Sequence, residues 1–370
     1  MIVDPIANLK SPQGSLISIY LDRPSPGGFP ALITDLARVA KQEVSSKSRS
    51  LQKSVDADVA RLREMADRFE SEAVPAYALF ASSLDGIWEL KALAQTTSPV
   101  AVVGARPYLR PLRAVPRPIR TALLVADKSQ ARIFTGFDGD VEEVEPPIAA
   151  EIGKPNFGGF AGYDEHGVRA RAHDVASRLW REAGEALLER HVETPFDLLL
   201  IGGVNEAIEG IRSELHPYLS ELPFESFPAS PSDISPARLK EELAMQRAAY
   251  QMKREVALVD DLLGLAARGD RGLLGLPPTL RAVNAQAISD LVVAGEFTRP
   301  GVLCPQCGQM DRSGTVCEVC SNDMHEVRDL ISEVMDATVA SGGRVHQISI
   351  GSALDRHGIG AITRFELPEL

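Results

Sequence analysis

Cysteine is nearly absent from this 370-residue sequence: there are four, and all fall between Cys304 and Cys320. A secreted disulfide framework would spread its cysteines over the fold, so that class is excluded and a reducing compartment, the cytoplasm, is expected. No apolar run approaches the ~20 residues needed to cross a bilayer, and the first residues lack the basic start and apolar stretch of a signal peptide. Neither a membrane span nor a membrane partner is expected. Positive charge is also short, with 39 Lys and Arg against 51 Asp and Glu for a formal net charge of −12. That balance excludes a protein that coats nucleic acid indiscriminately, because counterion release rewards a broad positive surface. What is plentiful is apolar material, 44% of the residues and spread along the whole chain. It suffices for two or three cores at the usual domain size.

Periodicity gives the organisation. Leu16 to Asp22 reads as a strand, followed by Leu32, Leu36, Val39, Ala40 and Val44 at helical spacing. A second stripe, Val55, Val59, Leu62, Met65 and Phe69, precedes two strands joined at Asp85-Gly86. Prolines at 107, 111, 116 and 118 remove backbone donors and disfavour a helix or a central strand, so a first domain is expected over residues 1–117. Strands near 122–126, 131–134, 141–144 and 198–201 then alternate with helices starting near 173 and 204, the mark of an α/β layer structure. This second domain is expected over 118–228. Ser235-Pro236 pairs an N-cap with a proline at the first helical position and opens a long helix to about Leu265. Residues 229–370 form the third expected domain, with a helix end running into a strand at 287–293, a helix through Leu330, Ile331 and Val334, and two closing strands. The fold class is therefore α/β in three domains, each a mixed sheet with helices.

Two Cys-x-x-Cys pairs, Cys304/Cys307 and Cys317/Cys320, are separated by nine residues. Each such pair forms a tight turn that aims two thiolates at one ion, and the pattern suits tetrahedral Zn2+. Four thiolates leave no position for a water, so the metal is structural. The third domain thus carries a small zinc-binding insertion at about 300–325. His325, five residues past Cys320, reads as a bystander.

These features together resemble a known family. Thr121-Ala-Leu-Leu-Val-Ala-Asp, the Gly158-Gly159 loop, the helix from His173 and Leu198-Leu-Leu-Ile-Gly-Gly are similar to the central domain of the class-one release factors of eukaryotes and archaea, and of Pelota. The zinc insertion followed by Asp329-Leu-Ile-Ser-Glu-Val, Gly343-Arg-Val-His-Gln-Ile and Gly358-Ile-Gly-Ala-Ile-Thr-Arg-Phe resembles their third domain. Pro107-Tyr-Leu-Arg-Pro-Leu looks like the bacterial branch of that superfamily, which includes ribosome hibernation factors and peptidyl-tRNA hydrolase-like members. The resemblance implies a three-domain factor that enters the ribosomal A site, contacts ribosomal RNA and works with elongation factor Tu or another translational GTPase.

The resemblance also shows a loss. Family release factors use a Gly-Gly-Gln loop, in which glutamine helps place a water against the peptidyl-tRNA ester. Here the loop reads Gly158-Gly159-Phe160, and no glutamine occurs between Gln130 and Gln246. Phenylalanine cannot orient water, so no catalytic residue is assigned and the expected protein is a ribosome-binding factor of idle or stalled ribosomes that does not release peptide. Contacts to ribosomal RNA are expected from Gly158, Gly159 and Phe160, from Arg169 and Arg171 beside them, and from Arg110 and Arg113 in the strip of five arginines from Arg106 to Arg120. Two alternatives stand beside this reading. One is a peptidyl-tRNA hydrolase or rescue release factor acting through the 153–173 loop, with Asp164, Glu165, His166 or His173 as base. The other is a zinc-stabilised protein adaptor. The family's Asn-Ile-Lys-Ser loop, which lies between helices, has a look-alike in Asn8-Leu9-Lys10-Ser11, but this precedes the first strand and reads as coincidence.

Overall fold

The computed structural model describes residues 3–23, 28–93, 96–114, 119–137, 140–144, 146–150, 165–348 and 351–367, with backbone only at 3–4, 114 and 165–172. They form two compact units. One combines Met1–Pro116 with Glu255–Leu370, and the other is Arg117–Arg254.

The N-terminal domain runs α1 (Val3–Ala7), β1 (Leu16–Asp22), α2 (Gly28–Val44), α3 (Arg49–Glu64), α4 (Ala66–Ser71), β2 (Ala76–Ser82), β3 (Ile87–Leu93), β4 (Val100–Gly104) and α5 (Arg110–Ala114). Its strands pair antiparallel in the order β3-β2-β1-β4. Because side chains alternate along a strand, β1 sends Ile17, Ile19 and Leu21 into a core with Phe29, Ile33, Val55, Val59, Leu62 and Phe69 of the three helices. Tyr20 points to the opposite face, where Ile6, Phe80 and Leu109 cover it. The stripe expected through Phe69 breaks at Met65, which ends α3 and precedes α4. A helix also forms inside the proline-rich segment. Pro111 sits in the first turn of α5, where the missing N–H would have had no partner, so the ring costs the helix nothing.

The central unit contains β5 (Thr121–Ala126), β6 (Gln130–Phe137), β7 (Asp140–Glu143), β8 (Ile148–Ala149), α6 (Glu165–Glu193), β9 (Leu198–Gly202), α7 (Asn205–Glu214), α8 (Pro217–Ser220) and β10 (Phe224–Phe227). The order is β10-β9-β5-β6-β7, parallel from β10 to β5 and antiparallel beyond. One face packs Leu124, Ile133 and Ile201 against Leu179, Trp180 and Leu187 of α6 and Ile211 of α7. Trp180 lies so close to α7 that a Cβ at Gly210 would fall 2.0 Å from its ring. The other face buries Leu123, Val125 and Leu200 against Leu239 and Leu243. Those two leucines belong to α9 (Pro236–Ala267), the long helix anticipated from Ser235-Pro236. Their packing explains why the second break falls after Arg254 and not near residue 228: the front of α9 completes the central core.

The back of α9 serves a third sheet, through Val259, Leu262 and Leu265. The rest of the chain runs β11 (Gly272–Leu274), α10 (Leu276–Asn284), β12 (Ile288–Ala294), β13 (Gly301–Leu303), β14 (Met310–Asp311), β15 (His325–Val327), α11 (Leu330–Ala340), β16 (Arg344–Ile348) and β17 (Ile359–Thr363). Strands β11-β17-β12-β16 form a mixed sheet, with β12 and β16 parallel. Leu280, Val283, Ile331, Val334 and Met335 of α10 and α11 cover its second face. The helix expected to run into the 287–293 strand ends before it, at Asn284, and the strand begins at Ile288. Strands β14-β13-β15 make a separate small sheet that carries the cysteines. The α/β class is as the sequence implied, with mixed sheets in the second and third domains and a wholly antiparallel one in the first.

Candidate metal centre and nucleic-acid interface

Two turns of the same design build the metal centre. In the first, Gly308 N–H donates to the Cys304 carbonyl at 3.0 Å and Cys304 N–H to the Gln309 carbonyl at 2.8 Å; in the second, Ser321 N–H donates to Cys317 at 2.8 Å and Cys317 N–H to Asn322 at 2.8 Å. Each turn needs a left-handed residue after its second cysteine, filled by Gly308 at φ 79° and by Ser321 at φ 57°. Antiparallel pairing of β13 with β14 and β15 presents the first turn, and Gly301 is required there because a Cβ would meet Leu330 at 2.5 Å.

The four thiols converge. Cys304 and Cys320 sulfurs lie 3.4 Å apart, Cys307 is 3.5 Å from Cys317 and from Cys320, and all four fall within 4.8 Å of one another. A tetrahedral Zn–S₄ centre with bonds of about 2.3 Å has sulfurs about 3.8 Å apart, so this donor set fits the ion. Cys304 and Cys317 are buried, Cys320 half-buried and Cys307 exposed. Hydrogen bonds from the Asn322 side chain and backbone pull the Cys320 thiol down to about 6, favouring the thiolate that metal binding requires. His325 pairs with Leu303 on β15 and is no part of the cluster.

Of the expected RNA contacts, Gly158, Gly159 and Phe160 lie outside the described residues, and the side chains of Arg169 and Arg171 are likewise outside them. So are Asp164 and the side chains of Glu165 and His166. His173 is exposed on α6, its Nδ1 3.5 Å from the Ser177 hydroxyl. Arg178 is exposed, while Arg181 pairs with Glu214 at 3.0 Å.

Arg110 and Arg113 depart from the sequence reading. Their guanidinium groups turn inward onto the C-terminal domain and do not face solvent: Arg110 donates to Asp329 at 2.9 Å and to the Phe297 carbonyl at 2.7 Å, and Arg113 donates to Asp336 at 3.1 Å. With side chains only 7% and 12% exposed, neither offers a surface to a phosphate. Short-range sequence gave no sign of this because both acids lie more than 200 positions away.

The Asn8-Leu9-Lys10-Ser11 look-alike lies ahead of β1. Ser11 of the look-alike is fully buried and bonds to the Ser15 hydroxyl at 2.9 Å. The connection between α2 and α3 reads Ser45-Ser46-Lys47-Ser48 and is exposed throughout. Ser48 caps α3 by accepting from Leu51 N–H, and Arg49 follows it.

A cavity of about 410 Å³ opens beside β6 and the end of α6, lined by Arg120, Phe137, Glu143, Arg190, Thr194 and Phe196 among others. Arg120 lies 4.9 Å from the Phe137 ring. Thr135 and Glu142 add to the polar part of the lining.

Residues 107–248 match the model of the bacterial archaeo-eukaryotic release factor family 10. Through this central segment the chain is release-factor-like. The likeness to the release factor and Pelota superfamily read from the sequence is borne out there. Among solved structures, the chain is similar to an archaeal translation termination factor, aRF1, at 13% identity over 98% of this chain and 96% of that one, with a TM-score of 0.25. It is also similar to Archaeoglobus fulgidus Pelota (16% identity, 80% of both chains, TM-score 0.37) and to an archaeal Pelota in a ribosome-bound model with ABCE1 (16%, 79% and 78%, TM-score 0.44). At scores this low the likeness carries no argument. No curated protein sequence matches the chain.

Proposed function

We propose that this release-factor-like chain is a ribosome-binding translation factor that occupies the A site of idle or stalled ribosomes in the cytoplasm without releasing peptide. The observation that carries the reading is the family match over 107–248 in a chain whose loop reads Gly158-Gly159-Phe160. The match retains the domain that release factors direct at the peptidyl-transferase centre, and the loop lacks the side chain that would orient a water there. The exposed Ser45-Ser46-Lys47-Ser48-Arg49 connection supports RNA contact by the N-terminal domain, since Lys47 and Arg49 stand in solvent where phosphates could reach them. Elongation factor Tu or another translational GTPase would deliver such a factor. The Cys304, Cys307, Cys317 and Cys320 cluster holds Zn2+ as a structural ion.

A release assay tests the reading. Purified protein added to ribosomes carrying peptidyl-tRNA in the P site binds them and liberates no peptide above background. Peptide release that disappears on changing His166 or Asp164 would assign hydrolysis to the 153–173 loop instead.

A further inference from the structure

Asp329, Glu333 and Asp336 fall at i, i+4 and i+7 on α11 and its N-cap, so they share one face of the helix. Against that face the N-terminal domain sets Arg106, Arg110 and Arg113, also at i, i+4 and i+7. Arg110 holds Asp329 at 2.9 Å and Arg113 holds Asp336 at 3.1 Å. Tyr108 donates its hydroxyl to Asp329 at 3.0 Å, and Tyr20 donates to the Tyr108 carbonyl at 2.7 Å, fastening the segment to its own sheet. Two acids are thus neutralised by two guanidinium groups. The third is not. Glu333 lies between the two aspartates and makes no hydrogen bond or ion pair among the described residues; the cation acting on it is the exposed Arg106.

We propose that this contact between the N-terminal and C-terminal domains is a pH-operated clasp, closed while Glu333 carries its proton and loosened when it loses it. Protonated, Glu333 is a neutral spacer between two ion pairs. Ionised, it places a third negative charge beside Asp329 and Asp336 in a poorly hydrated contact, and separating the faces relieves both the repulsion and the desolvation. Burial, with Asp336 and then Asp329 adding to it and Arg106 opposing, holds the Glu333 carboxyl up at about 7. Asp336 is also pushed up by burial, but Arg113 bonds its ionised form. On the neighbouring strand β16, Arg344 and His346 are both bonded to Asp290 of β12.

The sign follows from linkage. A group whose folded pKa is raised contributes stability below its unfolded value, 4.5 for this glutamate, and that contribution is lost as pH rises through about 7. Opening uncovers Arg110 and Arg113 together.

Amide hydrogen exchange of the full chain, corrected for the chemical exchange rate, tests the clasp in segments 107–114 and 329–340. Between about pH 6 and about pH 8.5 the wild-type opening constant rises about tenfold in both segments. Glu333→Gln, which fixes the neutral form, abolishes the rise. Arg106→Gln, which removes the opposing cation, moves the midpoint to higher pH, a response that a merely structural role for Arg106 would not give. No excess rise in wild type, the same rise in Glu333→Gln, or an unmoved midpoint in Arg106→Gln overturns the proposal.

Discussion

Arg110 and Asp329, 219 residues apart in sequence, share a hydrogen-bonded ion pair of 2.9 Å in which both side chains are nearly sealed from water. The same carboxylate accepts from Ile331 and Ser332 N–H with its other oxygen, so it caps α11 while it holds the N-terminal domain. Arg110→Ala leaves that buried charge unpaired and should cost about 3 kcal/mol of stability. Arg113→Ala should cost about 1 kcal/mol, since Asp336 keeps 30% exposure and water can replace its partner. Denaturant unfolding of the two variants measures both, and equal losses would contradict the ranking.

The metal centre gives a second expectation. Reduced protein should bind one zinc per chain, and Cys304→Ser or Cys317→Ser, which alter the two buried ligands, should abolish stoichiometric binding and lower the melting temperature. Chelation of the wild type should have the same effect. Metal analysis after reduction, with melting before and after chelator, provides the check.

Left-handed residues supply a third. Gln286, at φ 53°, closes α10 with the Ala287 N–H bonded to the Ala282 carbonyl at 2.9 Å, and Ser321 stands where the first cysteine turn has Gly308. Gln286→Gly and Ser321→Gly should each stabilise by about 0.5 kcal/mol, the relieved strain outweighing the added freedom of the unfolded chain. Gly308→Ala should destabilise by about 1 kcal/mol. Thermal melting of zinc-loaded protein distinguishes the directions.

Asp290 sets an acid limit. Burial works against its ionisation, but hydrogen bonds from His346 at 2.9 Å and from Arg344 at 2.8 Å overcome this and hold the carboxyl well below the usual range. A depressed folded pKa means stability present above the unfolded value near 3.8 and lost as pH falls below it. Asp290→Asn should therefore be less stable at neutral pH and show a shallower loss below about pH 4. A parallel acid limb in both proteins would contradict this.

Much of the fold was legible because its signals are local. The strand at Leu16–Asp22, the Asp85-Gly86 turn and the cap before α9 each depend on a few adjacent residues, and the cysteine cluster on the chemistry of two short turns. What escaped was non-local. Nothing near Arg110 announces Asp329, so Arg110 and Arg113, which read as phosphate contacts, prove to hold the C-terminal domain. The domain boundary inside α9 was hidden because the helix is continuous while its front and back halves serve different cores.

If Lys47 and Arg49 meet ribosomal RNA, Lys47→Glu with Arg49→Glu should weaken ribosome binding and flatten its salt dependence, with roughly one unit of log-log slope lost per phosphate contact. Binding measured from about 50 to about 200 mM salt tests this. An unchanged slope would remove this loop from the interface.

The most direct measurement is co-sedimentation with ribosomes from stationary or cold-stressed cells over stepped salt. The account predicts that the chain pellets with ribosomes at low salt and is released progressively as salt rises. Absence from the ribosomal fractions at both low and moderate salt would contradict it.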